Sequence, residues 1–347
     1  MRPSRLPMDP SGRTRPSPHA IPGSRLLLAV LVLVLSAVLA ACGEDEDTGG
    51  GAAEGTATPT AEAGRIERDE ANADVEITIG SKNFTEQQVL GEIYAQGLEA
   101  AGYTVRKDLN LGDQDTALAA LKAGEIDAYP EYTGTALLAF FGRKADELPK
   151  DPQAAYDEAR AGFEKQGLVA FPPTPFTSSN EVAVTQETAE ELSLKTISDL
   201  QGKDQDLTLY GSPECRQRLD CLLGLQQVYG LKFKKFTPVD IALRHEVLTK
   251  GQADVSIVFT TDPQIKREGF VLLKDDKKMF PPYNSTFVVR DDIAQKAGPD
   301  LATTIDKVQK GLTADAMQEL NARVDLDKKD TATVAQEYLK ESGLVAG

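Results

Sequence analysis

The chain contains no tryptophan, only two histidines and three cysteines, and aromatic residues make up just 6% of it. Each shortage closes off some chemistry. His19 lies in a leader that is read below as removed, which leaves His245 alone. Zinc sites built on several histidines are then excluded, and a Ser-His-Asp triad is disfavoured. Basic residues are also in deficit, 38 against 54 acidic, for a formal charge of −16. That balance argues against nucleic acid as a partner, because phosphate contacts need clustered Lys and Arg. No Walker-type phosphate loop occurs, and the dense glycine run Gly49-Gly50-Gly51 sits in low-complexity sequence. What is present is 347 residues, 41% hydrophobic against 27% charged. A globular chain of that length suits two lobes better than one core.

Residues 1–41 read as an export signal. Arg2, Arg5, Arg13, Arg15 and Arg25 face a single acid, Asp9, and the 14 positions from Leu26 to Leu39 are apolar except Ser36. A bilayer span needs roughly 20 apolar residues, whereas this length fits a signal-peptide core. The segment ends Leu39-Ala40-Ala41-Cys42-Gly43, which resembles the bacterial lipobox; Cys42 is then the acylated first residue of the mature chain. The other reading is a plain secretory signal with an incidental cysteine, and translation starts at Met1 or at Met8. Loss of five arginines and one aspartate takes the charge from −16 to −20. Such a surface avoids anionic lipid heads, leaving the lipid as the expected attachment, with more than one acyl chain because one holds weakly. Residues 42–73, rich in Gly, Ala, Thr, Glu and Asp, have too little apolar surface to offset the entropy of ordering and read as a disordered tether.

Ordered structure is expected from about Asp74. Val75-Glu76-Ile77-Thr78-Ile79 alternates as a strand, and Thr85 with Gln88 fits a capping box. Val89, Leu90, Ile93, Tyr94, Gly97, Leu98 and Ala101 then mark one helix face. A second helix runs from about Asp115 to Ala123 and stops at Gly124. The rhythm is α/β. It returns at Leu207–Tyr210, with a helix expected from near Arg218. Leu121-x-x-Gly124-x-x-Asp127 is echoed by Leu248-x-x-Gly251-x-x-Asp254, and five residues beyond each Asp stands an aromatic, Tyr132 or Phe259. The echo is either a common helix-to-strand connection met twice or the mark of two similarly built lobes, each sending one ring to a shared cleft. Ligands in open α/β sheets lie outside the carboxyl ends of the strands. Two proline-bearing stretches, Phe171–Phe176 and Phe280–Tyr283, mark the crossings between lobes. The expected divisions are 74–177 for the first part of lobe 1, 178–284 for lobe 2 and 285–347 for the rest of lobe 1.

Several strings resemble the osmoprotectant-binding proteins of bacterial ABC importers, receptors for glycine betaine, choline and proline betaine. They are Gly80–Gln87, Gly124–Thr135, Pro213-Glu214 with Arg218, Phe259–Asp262 and Phe280–Tyr283. The resemblance spans nearly all of residues 75–347. It implies a type II periplasmic-binding-protein fold, two α/β lobes joined by two crossing strands, that is not an enzyme and uses no cofactor or metal. It further implies an aromatic cage around a quaternary ammonium, at Tyr132, Asn180, Phe259 and Tyr283, and a carboxylate site at Lys82, Thr135 and Arg218. Ring faces suit a trimethylammonium, which has no N–H to donate, and each contributes about 0.5–2 kcal/mol. The sequence departs from the family pattern at three points: Asn180 where a tyrosine is expected, Ser178 where an aspartate is common, and Phe259 where tyrosine is usual. These departures suggest a site reshaped for a larger betaine or weakened for glycine betaine. Bland roles compete throughout: core packing for Tyr132, Phe259 and Tyr283, solvation for Lys82, an internal ion pair for Arg218, and a turn for Asn180.

Cys215 and Cys221, an even pair in an exported chain, read as a disulfide or as two free thiols. The partners implied by the resemblance are a small quaternary amine, two permease subunits with a cytoplasmic ATPase, and the membrane through the lipid on Cys42. The expected molecule is an extracytoplasmic monomer. A lipid-anchored sensor or scaffold with the same fold is the competing reading.

Overall fold

The computed structural model describes residues 64–144 and 147–347, all within one compact unit, Ala57–Gly347. The signal segment, Cys42 and most of the tether lie outside the described residues. Lobe 1 begins with β1 (Glu76–Gly80), whose Ile77 and Ile79 are fully buried, and α1 (Thr85–Ala100). It continues through β2 (Thr104–Asp108), α2 (Gln114–Ala123), β3 (Ala128–Tyr132), the single turn α3 (Thr133–Thr135), α4 (Pro152–Glu164) and β4 (Leu168–Ala170). The chain then crosses and builds lobe 2 from β5 (Asn180–Val184), α5 (Gln186–Glu191), β6 (Thr208–Gly211) and α6 (Leu222–Tyr229). β7 (Lys235–Pro238), α7 (Glu246–Thr249), β8 (Val255–Phe259), α8 (Gln264–Glu268) and β9 (Val271–Leu273) complete it. After crossing back, β10 (Ser285–Arg290), α9 (Asp291–Ala297), α10 (Pro299–Lys310), α11 (Ala314–Asp325) and α12 (Thr331–Glu341) close lobe 1.

Each lobe holds a five-stranded sheet, ordered β2-β1-β3-β10-β4 in one and β7-β6-β8-β5-β9 in the other. The two orders are the same pattern. In each sheet the fourth position is the antiparallel strand, and in each it is the strand that has just arrived from the other lobe. The crossings lie side by side: Thr177 and Asn284 form an antiparallel bridge, and Ser178 donates its N–H to the Tyr283 carbonyl at 3.0 Å.

The sequence echo has a structural counterpart. Gly124 and Gly251 end α2 and the α7 turn with φ of 76° and 62°, a left-handed conformation that glycine adopts without a Cβ penalty. Asp127 then accepts the Thr78 N–H with its carboxylate at 2.9 Å and returns its own N–H to the Thr78 carbonyl at 2.7 Å. Asp254 does the same to Thr208, at 2.7 and 3.1 Å. Both aspartates therefore stitch the start of one lobe's central strand to the next strand, which places Tyr132 and Phe259 at equivalent carboxyl ends.

Three local expectations need correction. Thr85 and Gln88 form no capping box: Phe84 is the N-cap, and the Thr85 hydroxyl donates instead to Asp325 at 2.6 Å, a tertiary partner that spacing alone does not reveal. No helix starts near Arg218. Residues 213–216 make a 3₁₀ turn and α6 begins at Leu222, because the Cys215–Cys221 disulfide and the Arg218–Asp220 ion pair hold the intervening segment in a loop. Residues 64–73, read as the end of the tether, pack onto lobe 1. Ile66 is buried and donates its N–H to the Leu344 carbonyl at 2.9 Å, and a 3₁₀ turn spans Glu70–Asp74. One isoleucine in a polar run was too sparse a signal.

Candidate functional site

All eight residues singled out in the sequence line one small cavity between the lobes: Lys82, Tyr132, Thr135, Ser178, Asn180, Arg218, Phe259 and Tyr283. Lys82 sits on the loop between β1 and α1, Tyr132 at the end of β3 and Thr135 on the turn that follows. Ser178 and Tyr283 stand on the two crossings. Asn180 opens β5 directly opposite Phe259 at the end of β8. Gly134 is required for this closeness, since a Cβ there would come within 2.7 Å of the Tyr283 ring.

The charges are paired before any ligand arrives. The Lys82 ammonium is ion-paired with Glu131, both almost wholly buried, and lies 4.6 Å from the centre of the Tyr132 ring. Burial pulls the Lys82 pKa down against the opposing pull of Glu131. Arg218 grips Asp220 through Nε at 2.7 Å and Nη2 at 2.5 Å, and its Nη1 reaches across to Gln114 Oε1 of lobe 1 at 3.1 Å. Asp220 also accepts the Tyr283 hydroxyl. Burial pushes its carboxyl up, but Arg218 and the Tyr283 hydroxyl more than offset that and hold it below the usual range. Arg244 makes a third pair with Asp262, at 2.8 and 2.5 Å, which His245 joins at 2.7 Å. Three opposed pairs in a dry wall favour a ligand of no net charge or one whose cation meets the rings, because an unpaired ion is costly there.

The rings converge from both sides. Phe84 stacks on Tyr132 with centroids 6.3 Å apart and leans on Phe259 at 5.3 Å. The Tyr132 hydroxyl donates to buried Glu86 at 2.6 Å, which fixes the ring's orientation. Arg244 lies 4.7 Å from the Phe259 centroid, so one face of that ring is already against a protein cation. Asn180 is buried and spends its amide N–H on the Asp220 carbonyl at 3.0 Å. Ser178 shares a hydrogen bond with Thr261 at 2.8 Å.

The internal ion pair that competed as a role for Arg218 is present, and Arg218 also lines the cavity; the two roles coexist. Lys82 is not a solvated surface residue. Sequence reasoning missed Phe84, Gln114 and Arg244 as wall residues. Phe84 stood within the quoted Gly80–Gln87 string and was legible as a ring beside Lys82. Arg244 carried no signal, because its partner Asp262 is reached only through the fold. Among the described residues no group of His, Cys, Asp and Glu is placed to hold a metal ion, and no helix is long and apolar enough to cross a membrane. Among the described residues the cavity wall holds no set of nucleophile, base and orienting group around a reacting position.

Comparison with known proteins gives the family and the fold. Residues 75–341 match the family described as the substrate binding domain of ABC-type glycine betaine transport system. A glycine-betaine-binding protein of Pseudomonas aeruginosa is 36% identical over 78% of this chain and 88% of its own length. A carnitine transport binding protein of Listeria monocytogenes is 33% identical over 78% and 88%. A solved structure of a glycine betaine/carnitine/choline ABC transporter superposes with a TM-score of 0.62 at 29% identity, covering 77% of this chain and 99% of that one. The chain belongs to the family of substrate-binding domains of ABC-type glycine betaine transport systems, transporter proteins that are not enzymes.

Proposed function

We propose that this protein captures a compact quaternary-ammonium solute, such as glycine betaine, choline or a larger betaine, outside the cytoplasm and hands it to an ABC permease. One observation carries the reading: rings from lobe 1 (Phe84, Tyr132), lobe 2 (Phe259) and a crossing (Tyr283) line a single cavity whose cations are already paired. Such a wall has π-faces to offer a trimethylammonium and spare N–H groups on Lys82 and Arg218 to offer a carboxylate. Tyr132, Phe259 and Tyr283 are the cage residues of this reading, Asn180 and Ser178 its polar edge, and Lys82, Thr135 and Arg218 its carboxylate side. The mature chain starts at lipidated Cys42 and acts as a monomer held to the membrane by that lipid.

The test is a thermal-shift panel of glycine betaine, choline, carnitine, proline betaine and ergothioneine. A ligand at a hundred times its dissociation constant adds about 2.7 kcal/mol, so at least one compound raises the melting temperature clearly. Silence across the whole panel overturns the reading. For the anchor, Cys42→Ser releases the protein from the membrane fraction or leaves an unprocessed precursor; normal processing with unchanged membrane association refutes lipidation.

A further inference from the structure

One face of α11 reaches out of lobe 1 and holds lobe 2. Gln318, Asn321 and Asp325 stand at i, i+3 and i+7, and residues so spaced share a helix face. Gln318 donates to the Thr260 carbonyl at 2.9 Å, Asn321 to the Thr261 carbonyl at 3.1 Å, and Asp325 accepts from Gln264 of α8 at 2.9 Å. All three partners lie in the segment that directly follows Phe259. None of the three α11 residues lines the cavity.

The middle contact is the informative one. The Asn321 amide, 2% exposed, spends its second N–H on Glu86 Oε2 at 3.1 Å, and Glu86 Oε1 accepts the Tyr132 hydroxyl at 2.6 Å. A continuous chain of hydrogen bonds thus runs from the lobe 2 backbone beside one ring of the wall to the hydroxyl of another ring in lobe 1. Separation of the lobes breaks its Thr261 end and leaves Asn321 short of a partner.

We propose that this α11 face is a closure latch, with Asn321 the positioning residue that ties lobe closure to the placement of Tyr132. The inference rests on the reading of the cavity as the ligand site. Because the latch touches no ligand, it sets how long any ligand is held and not which one is chosen. It acts after encounter, so its contribution lies in the dissociation rate.

The experiment compares wild type with Asn321→Ala and Gln318→Ala, titrated with glycine betaine and with choline and followed by stopped flow. Gln318 is exposed, so its variant tests the latch without disturbing the core. Asn321→Ala weakens both ligands by the same factor, about tenfold, and Gln318→Ala by about threefold, through faster release at an unchanged association rate. The Tyr132 ring resonance moves in Asn321→Ala and stays in Gln318→Ala. Unchanged affinity in both variants, or a loss confined to one ligand, overturns the latch. If wild type binds neither compound, the titrations use whichever panel compound it does bind, and if it binds none of the panel it is the functional reading that fails. The latch is then judged on ligand-free protein, from the distance distribution between spin labels at Lys122 and Lys235. The closed population shrinks in Asn321→Ala, and an unchanged distribution overturns the proposal.

Discussion

Replacing Asp220 by asparagine isolates the element on which one whole wall of the cavity depends. The carboxylate is fully buried and accepts two N–H bonds from Arg218 and one O–H bond from Tyr283, while its backbone carbonyl holds Asn180. Asparagine keeps the shape and one acceptor oxygen but removes the charge. Arg218, only 17% exposed, is then left without its counter-ion. Removing one partner of a buried pair costs about 3–5 kcal/mol, most of it the penalty on the charge that remains. Urea denaturation of Asp220→Asn should therefore show a loss of about 3 kcal/mol or more. The double change Arg218→Met with Asp220→Leu should lose less than the single one, because it removes both charges together. The native pKa of Asp220 lies below the ordinary value of 3.8. The pair's contribution is therefore complete above that pH and is lost only as pH falls through the lower, folded-state value. A loss below about 1 kcal/mol for Asp220→Asn, or a double variant no better than the single one, refutes the picture of a desolvated pair.

Three further outcomes follow from the same geometry. Burial, with Asp275 nearby, pushes the Glu181 carboxyl from 4.5 up to about 7, so the folded state binds the extra proton and stability falls as pH rises between those values. Glu181→Gln should match wild type near pH 4 and exceed it by about 3 kcal/mol at pH 8 in urea melts; parallel curves at both pH values contradict this. Opening the Cys215–Cys221 disulfide should cost about 2 kcal/mol, as expected for so short a loop, and no change in the midpoint on reduction argues against it. Asn180→Tyr should strengthen glycine betaine and weaken larger betaines, since it adds a ring opposite Phe259 at the cost of the bond to Asp220. Indifference of both ligands, measured by calorimetry, removes Asn180 from the specificity of the site.

The two-lobe plan was legible because its signals are local or repeated. Period-two alternation found β1, the stripe at threes and fours found α1, and the Gly-x-x-Asp echo pointed to the carboxyl ends where Tyr132 and Phe259 stand. The motif strings contain six of the eight residues that line the cavity, and Ser178 and Asn180 entered only as positions where the family pattern is broken. What stayed hidden depends on contacts between distant segments. The acid partners of Lys82 and Arg244 lie 49 and 18 residues away, and Tyr283 meets Asp220 across 63. A local rule makes the Thr85 hydroxyl a helix cap, yet its partner is Asp325, 240 residues on. No single-sequence pattern ranks a tertiary acceptor above a local one. The same limit hid the α11 face, whose polar residues look like any solvated helix side until lobe 2 is set against them.

The central claim is that ring faces hold a cation. It is tested most directly by calorimetric titration of the mature domain with choline and with its uncharged tert-butyl analogue, which has the same shape and no charge. Choline should bind at least about fivefold more tightly, because two or more faces each contribute about 0.5–2 kcal/mol to the cation alone. That advantage should shrink in Tyr132→Leu and Phe259→Leu, which keep the burial and remove the ring. An analogue that binds as tightly as choline contradicts the account, since the cavity would then be selecting shape and not charge.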